Sequence, residues 1–379
     1  MDFDFTNEQR LLKASVERLL ADSYRFEQRT AYMAEGWSRA RWAQYADLGL
    51  LGLPFEERYG GIGGGPVETM IVMEIFGHAL ALEPYLTTVV LGGGLLRHGA
   101  TVDQKSALLP KISDGSLLLA FAQTEFQSRF DLQDVATTAR RDGSGWRLDG
   151  SKTVVLHGDS ADRILVTARV AGARRDREGI GLFLVDAKAS GVSRRGYPTF
   201  DGLRAAEIQF EGVRVGSEEV IGEPEQALPL IERVVDEAIA AISAEAVGAM
   251  AAMQELTVEY LKNRQQFGKA IGTFQALQHR AVDMLVALEQ ARSMALYATL
   301  RVGDQEAVER RKALAATKVQ IGRSGRFIGQ QAVQLHGGIG MTMEYKLGHC
   351  FKRVTAIDLA FGNADHHLAA LAEWGGLIA

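Results

Sequence analysis

From Asn7 onward, apolar residues recur every three or four positions, and Leu11, Leu12, Val16, Leu19 and Leu20 share one face. This spacing predicts helices as far as about Leu117, with Thr6 placed to cap the first. The run Leu48 to Gly65 breaks the pattern, because its glycines and Pro54 cannot continue a helix; it reads as a loop. Between about Leu118 and Val215 the period changes to two, in Trp146–Gly150, Thr153–Leu156, Arg163–Arg169, Gly181–Asp186 and Glu207–Glu211. Turn residues such as Asp142–Gly145 separate these segments, which predicts short antiparallel strands. No helix-length segment alternates with them, so a parallel doubly wound sheet is disfavoured. The helical period then returns near 226–264, 273–301, 305–336 and 344–375. The expected fold is an α+β multidomain one: an N-terminal all-α domain over 1–117, a central β-barrel-like domain over 118–225 and a C-terminal four-helix bundle over 226–379.

A chain of 379 residues exceeds what one hydrophobic core supports, which agrees with several units. Its 42 Lys and Arg oppose 47 Asp and Glu, a net charge of -5 with both signs dispersed. Bulk attraction to nucleic acid or to an anionic membrane is not expected. Cys350 is the one cysteine, so no disulfide framework is available and a reducing cytoplasm is expected. Asp2 and Asp4 stand where a secretory signal carries basic residues. The apolar stretches are cut by Glu74, His78 and Glu83 or by Gly92–Gly94, short of the roughly 20 residues that span a bilayer.

The chemistry narrows by elimination. No phosphate-binding G-x-x-x-x-G-K-[ST] occurs, and the clusters Gly60–Gly65 and Gly92–Gly94 follow helical segments rather than strands, so a dinucleotide fold of the Rossmann kind is not expected. The histidines include no H-x-x-x-H, and no metal site is expected. A G-x-S-x-G elbow is also missing. What remains is a series of segments in fixed order. Within 260–275 stand Arg264, Phe267-Gly268 and Gln275; Gln334-Leu-His-Gly-Gly-Ile-Gly340 follows. Pro54–Gly61, Phe210–Val215 leading to Ile221-Gly222, and Gln123-Thr-Glu125 precede them. Together these resemble the acyl-CoA dehydrogenase family of flavoproteins over essentially the whole chain.

The resemblance implies FAD as cofactor and an acyl-CoA thioester as substrate, with an electron-transfer flavoprotein as acceptor. It implies that Arg264, Phe267, Gln275, Gln334, Gly337 and Gly338 contact the adenosine half of a flavin held mainly by another subunit, hence a homo- or hetero-oligomer. Gln123 and Thr124 fall at the flavin side, and Asp236 and Phe130 at the acyl side. The residue types suit those roles: an arginine forms charge-assisted bonds with a pyrophosphate, and glycines admit close approach of a cofactor to the backbone.

The departures from the family pattern concentrate on the acyl side. The family's T-E-P-x-A-G-S-D is Thr124-Glu-Phe-Gln-Ser-Arg-Phe-Asp131 here, so Phe130 replaces the serine that meets the thioester and Arg129 the glycine before it. In Val154-Val-Leu-His-Gly158, Leu156 replaces the threonine whose hydroxyl bonds the flavin ring. The family removes the α-proton with a glutamate while a hydride leaves the β-carbon for flavin N5. Phe361 stands at the usual glutamate position and Ala238 at the alternative one. Glu245, seven residues beyond Ala238, lies on the same helical face about 10 Å further along. In its apolar surroundings it suits either a general base or a structural ion pair. An adenosine side retained beside a degraded acyl side resembles the small subunits of heteromeric acyl-CoA dehydrogenases, such as that of pimeloyl-CoA dehydrogenase and those of bacterial steroid side-chain degradation. The chain is expected to be a dehydrogenase working as one such subunit; a self-sufficient enzyme with a relocated base, a non-catalytic subunit that completes a partner's flavin site, and a flavin oxidase on the same scaffold are the alternatives.

Overall fold

The computed structural model describes residues 4–375. Thr6 opens the first helix through a reciprocal cap: its hydroxyl accepts from the Gln9 N–H at 3.2 Å while the Gln9 side chain accepts from the Thr6 N–H at 3.0 Å. Six α-helices follow in the N-terminal third, α1 (Asn7–Ser23), α2 (Phe26–Glu35), α3 (Arg39–Asp47), α4 (Pro66–Ala79), α5 (Gly93–Gly99) and α6 (Val102–Ser113). Of the periodic set, Val16 and Leu20 are buried while Leu11 is exposed. A π-helical segment, Leu86–Gly92, leads into α5. The glycine cluster there is a packing device, since a Cβ on Gly93 would stand 2.6 Å from the Phe55 ring.

Seven strands form the central sheet: β1 (Leu119–Ala122), β2 (Thr138–Asp142), β3 (Gly145–Leu156), β4 (Arg163–Arg169), β5 (Ile180–Asp186), β6 (Val192–Pro198) and β7 (Arg204–Val215). They run in the order β1-β4-β2-β3-β7-β6, with β5 also on β4. The sheet is curled, and most of its pairings are antiparallel as the alternation predicted. β1 nevertheless runs parallel to β4, through Leu119 opposite Arg163. The long segment between these two strands contains β2 and β3 and returns the chain to the same edge. Ile164, Val166, Phe183, Ile208 and Phe210 fill the inner face.

The C-terminal part contains α7 (Leu228–Asn263), a hairpin of β8 (Gln265–Gln266) and β9 (Lys269–Ala270), then α8 (Gln275–Arg301), α9 (Ala307–His336), α10 (Lys346–Leu359) and α11 (Ala364–Glu373). The last helix expected from periodicity is two helices. The break lies at Ala360–Asn363, where Phe361 has φ +57° and Gly362 φ +103°, and the Asn363 side chain caps α11 by accepting from the His366 N–H at 2.9 Å.

Two compact units divide these elements. One holds the residues up to Ala34, Pro66–Ala81 and from Ile239 on; the other holds Glu35–Gly65 and Leu82–Ala238. Within the first, α4 and α7 cross at van der Waals distance through glycines. A Cβ on Gly77 would fall 1.8 Å from the Glu245 carbonyl oxygen, and one on Gly248 would fall 1.8 Å from that of Glu74. The same unit buries His349 and His367 in neutral form. Burial pulls His367 down to about 3, aided by the nearby Lys318 charge, and burial also lowers His349, with Arg29 adding to it. An unfolded histidine takes up its proton near pH 6.5, so stability is full above that value and falls as pH drops toward the folded-state values. His367 should contribute a slope of about 1.4 kcal/mol per pH unit within its window, and His349 adds in the same direction. Urea unfolding followed from pH 7.5 to 5.0 should show the decline, and His367→Gln should flatten it. Identical slopes in the two proteins would remove His367 from the account.

No helix among the described residues is long and apolar enough to cross a membrane. Among those residues, no three His, Cys, Asp or Glu side chains gather in a way that could hold a metal ion.

Candidate functional site

In the unit that carries α8 to α11, the Arg264 and Gly337 segments each leave the end of a long helix. Arg264 follows α7, its N–H donating to the Tyr260 carbonyl at 2.8 Å and its carbonyl accepting from the Ile271 N–H at 2.9 Å, which closes the base of the hairpin. The hairpin turns through Phe267 (φ +54°) and Gly268 (φ +77°). Left-handed backbone is costly for phenylalanine, yet Phe267 is 88% exposed with only the edge of Phe274 beside it, at 6.0 Å between ring centroids. The Arg264 side chain is exposed and makes no hydrogen bond or ion pair among the described residues. Gln275 opens α8 and is exposed. At the end of α9, Gln334 is exposed, Gly337 has φ +64°, and a Cβ on Gly337 or Gly338 would meet nothing within 4 Å. A free cation, an exposed aromatic ring, two side-chain amides and an open glycine backbone thus occur in one unit. That donor set fits an adenosine pyrophosphate.

The other unit carries the positions that the resemblance assigns to the flavin and acyl sides. β1 runs into Gln123–Glu125, whose Thr124 carbonyl accepts from the Thr153 N–H at 2.9 Å. Gln123 Oε1 is buried and has no hydrogen-bond partner among the described residues. Beneath it, buried Lys152 donates to Glu125 at 2.7 Å, to the Thr167 hydroxyl at 2.8 Å and to the Gln123 carbonyl at 3.4 Å. Burial alone would raise the Glu125 carboxyl, but the Lys152 ammonium and the bonds from Gln127 and Thr137 reverse this and hold it at about 2. Glu125 is therefore an anion that locks the segment in place. Further on, β3 bulges against β7 between Lys152 and Val155, with Val154 and His157 both at φ +51°. Leu156 ends β3 opposite Ala205. Phe126 is 96% exposed, Arg129 has φ +48°, and Phe130 is half-buried. Asp236 and Ala238 on α7 are both buried.

Of the residues with positive φ that are not glycine, Arg129, Val154, His157, Phe267 and Phe361 fall on segments singled out by sequence, and Leu80 is the exception among the described residues. Strained backbone of this kind concentrates at functional sites.

Glu245 is buried in the unit that contains α10, and α10 supplies its partner. Arg353 Nε donates to Oε1 at 2.6 Å and Nη2 to Oε2 at 2.8 Å, a two-point ion pair. Phe361 occupies the turn between α10 and α11. Its carbonyl lies 3.0 Å from His367 Nε2, and Lys318 Nζ donates to the carbonyls of Ile357 at 2.6 Å and Asp358 at 3.1 Å. Sequence reading gave no role to Arg353, 108 residues from Glu245, to Lys152 or to Lys318. For Arg353 and Lys318 the one local signal was a basic residue within an apolar helical face; Lys152 lies on β3. Cys350 is buried, and burial raises its thiol to about 11, so it is a poor nucleophile.

Residues 6–116 match the N-terminal domain of acyl-CoA dehydrogenases, 120–213 the middle domain and 229–376 the C-terminal domain. Acyl-CoA dehydrogenase FadE12 of Mycobacterium tuberculosis is 31% identical over 309 residues, 80% of this chain and 79% of that protein. Probable acyl-CoA dehydrogenase YngJ of Bacillus subtilis is 27% identical over 371 residues, 96% of this chain and 97% of its own length. Among solved structures, the Tcur3481-Tcur3483 steroid ACAD is 30% identical with a TM-score of 0.87, covering 97% of each chain. With all three domains matched in order along the sequence, this chain belongs to the acyl-CoA dehydrogenase family.

Proposed function

We propose that this chain is one subunit of an FAD-dependent enzyme that dehydrogenates the α,β bond of an acyl-CoA thioester, working beside a second acyl-CoA dehydrogenase-like polypeptide. One contrast carries the reading. Arg264, Phe267, Gly337 and Gly338 are exposed and open, while the two base positions hold Phe361 and Ala238 and the alternative carboxylate, Glu245, is bound at both oxygens by Arg353. FAD, when bound, supplies the acceptor for the hydride that leaves the β-carbon. Arg264 would neutralise its pyrophosphate, Phe267 and the Gly337-Gly338 backbone would contact the adenosine, and the Gln275 and Gln334 amides would complete the polar contacts. Gln123 and Thr124 stand at the flavin side, where the buried Gln123 oxygen offers an acceptor to a cofactor N–H. Asp236 and Phe130 stand at the acyl side. The Tcur3481-Tcur3483 relative, with its two-part name, supports the two-chain arrangement. An electron-transfer flavoprotein is the proposed acceptor and the cytoplasm the proposed compartment.

Division of labour has a direct test. Purified alone, the chain should hold little flavin by its visible spectrum and oxidise no acyl-CoA. Co-expressed with its partner it should regain both, at fewer than one FAD per polypeptide. A homo-oligomer with one FAD per chain and ordinary dehydrogenase activity would overturn the proposal. The second reading, a self-sufficient enzyme with Glu245 as base, draws on the burial of that carboxylate in an apolar helix.

A further inference from the structure

The hairpin that carries Phe267 has only two residues in each strand, too few to hold its own shape in water. The Gly337–Glu344 segment of the same unit is short of side-chain anchors at its glycines. Both are tied to one group of three rings. Tyr260, on the last full turn of α7, accepts the Arg264 N–H on its carbonyl and stacks its ring on His336, with centroids 4.5 Å apart and planes at 28°. His336 is the last residue of α9, directly before Gly337, and is 3% exposed. The Tyr345 ring lies tilted against it, with centroids 5.3 Å apart, and the Tyr345 hydroxyl lies 3.4 Å from His336 Nε2. The segment that leaves His336 therefore returns to the same ring eight residues beyond Gly337.

The imidazole is fixed within this stack. Nδ1 lies 2.8 Å from the Ala332 carbonyl one turn back, and a carbonyl accepts only, so the ring donates there; the Leu256 carbonyl of α7 is a second backbone acceptor for the ring, and the Tyr345 hydroxyl lies beside Nε2. Gly340 leaves room for the fold-back, because a Cβ there would stand 3.1 Å from the His336 Cβ.

We propose that Tyr260, His336 and Tyr345 form an aromatic brace that sets the Arg264 hairpin against the Gly337-Gly338 turn, which makes His336 a positioning residue for the adenosine half of the cofactor. The proposal rests on the assignment of Arg264 and the two glycines to that half. The brace itself touches no cofactor atom. It acts through the backbone, by holding Arg264 and Gly337 at the ends of two helices whose terminal turns would otherwise fray. Stacked rings suit this task because offset faces resist sliding and tilting, whereas aliphatic contacts do not fix orientation.

The test compares His336→Ala, His336→Phe and Arg264→Ala in the purified oligomer, with its partner chain where one co-purifies, by titration with FAD under flavin fluorescence. His336→Ala should weaken FAD binding by about tenfold, the equivalent of one lost ring pair. His336→Phe keeps the stack and should bind within about threefold of wild type. A residue that served folding alone would lower the melting temperature and leave FAD affinity unchanged. Wild-type affinity in His336→Ala, or equal weakness in His336→Ala and His336→Phe, overturns the brace. Wild-type affinity in Arg264→Ala overturns the adenosine assignment instead, and removes the site that the brace would serve. If His336→Ala does not fold, Tyr260→Ala and Tyr345→Ala, both at partly exposed positions, carry the same comparison with Tyr→Phe controls.

Discussion

Arg353→Met should destabilise the unit that contains it by about 3–5 kcal/mol, because it leaves the Glu245 carboxylate buried without its counter-charge. The pair is desolvated on both sides, with side-chain exposures of 9% for Arg353 and 6% for Glu245. The cost arises from the stranded ion rather than from the loss of a favourable contact, so removing both charges should restore much of it. The double variant Glu245→Leu/Arg353→Met should therefore unfold nearer to wild type than Arg353→Met does, as followed by urea denaturation at pH 7. A loss below about 1 kcal/mol in Arg353→Met would mean that water reaches the pair. The same residue decides between the two functional readings. Glu245→Gln keeps the shape and removes basicity. If Glu245 is the partner of Arg353 and nothing more, anaerobic bleaching of the flavin by an acyl-CoA in the co-assembled enzyme should proceed at the wild-type rate. Slowing by orders of magnitude would show it to be the base.

Arg264→Ala should leave the oligomer intact and weaken FAD by about 1.5–3 kcal/mol, roughly 10- to 150-fold. The size of the effect follows from the surroundings of Arg264. Its guanidinium has no carboxylate beside it among the described residues, so deletion frees no other charge and exposes no buried group. The whole change should appear in cofactor affinity, with melting temperature of the FAD-free protein unaltered. Size-exclusion chromatography with light scattering reports the oligomer, and flavin fluorescence reports the affinity. Equal FAD affinity in the two proteins would defeat the assignment of this hairpin to the cofactor. Arg264→Lys should recover only part of the loss, since an ammonium keeps the charge but not the two-pronged geometry.

Two buried polar clusters of the candidate site serve the backbone. The turn at Phe361 keeps its left-handed backbone and the bonds from Lys318 and His367, although the side chain it presents has no acid–base chemistry. Buried carbonyls at a helix end must be satisfied whatever the next side chain is, so the frame of the turn is retained for stability independently of catalysis. The Lys152–Glu125 pair has the same character. It holds the Gln123–Glu125 segment that follows β1.

Local physics explains what was legible in the chain. Periods of three to four residues and of two separate helix from strand because each reports which side of a single element is apolar, and the Thr6 cap needs only four consecutive residues. Ordered short segments such as Arg264 to Gln275 and Gln334 to Gly340 were readable for the same reason: their chemistry lies within a few residues of backbone. Periodicity ran one helix through Ala360–Asn363, and the left-handed Phe361 left no local mark, since the turn is held by bonds from Lys318 of α9 to the Ile357 and Asp358 carbonyls and by His367 of α11 at the Phe361 carbonyl. The parallel pairing of β1 with β4 escaped the alternation pattern, which says which face is buried and not which strand lies alongside. The role of Glu245 is the clearest division. Its burial followed from the apolar run around it, whereas its partner, Arg353, lies 108 residues away on another helix, and only tertiary packing brings the two charges within 2.6 Å. A charge in a low-dielectric interior is defined by its nearest opposite charge, and that distance is a property of the fold, not of any window of sequence.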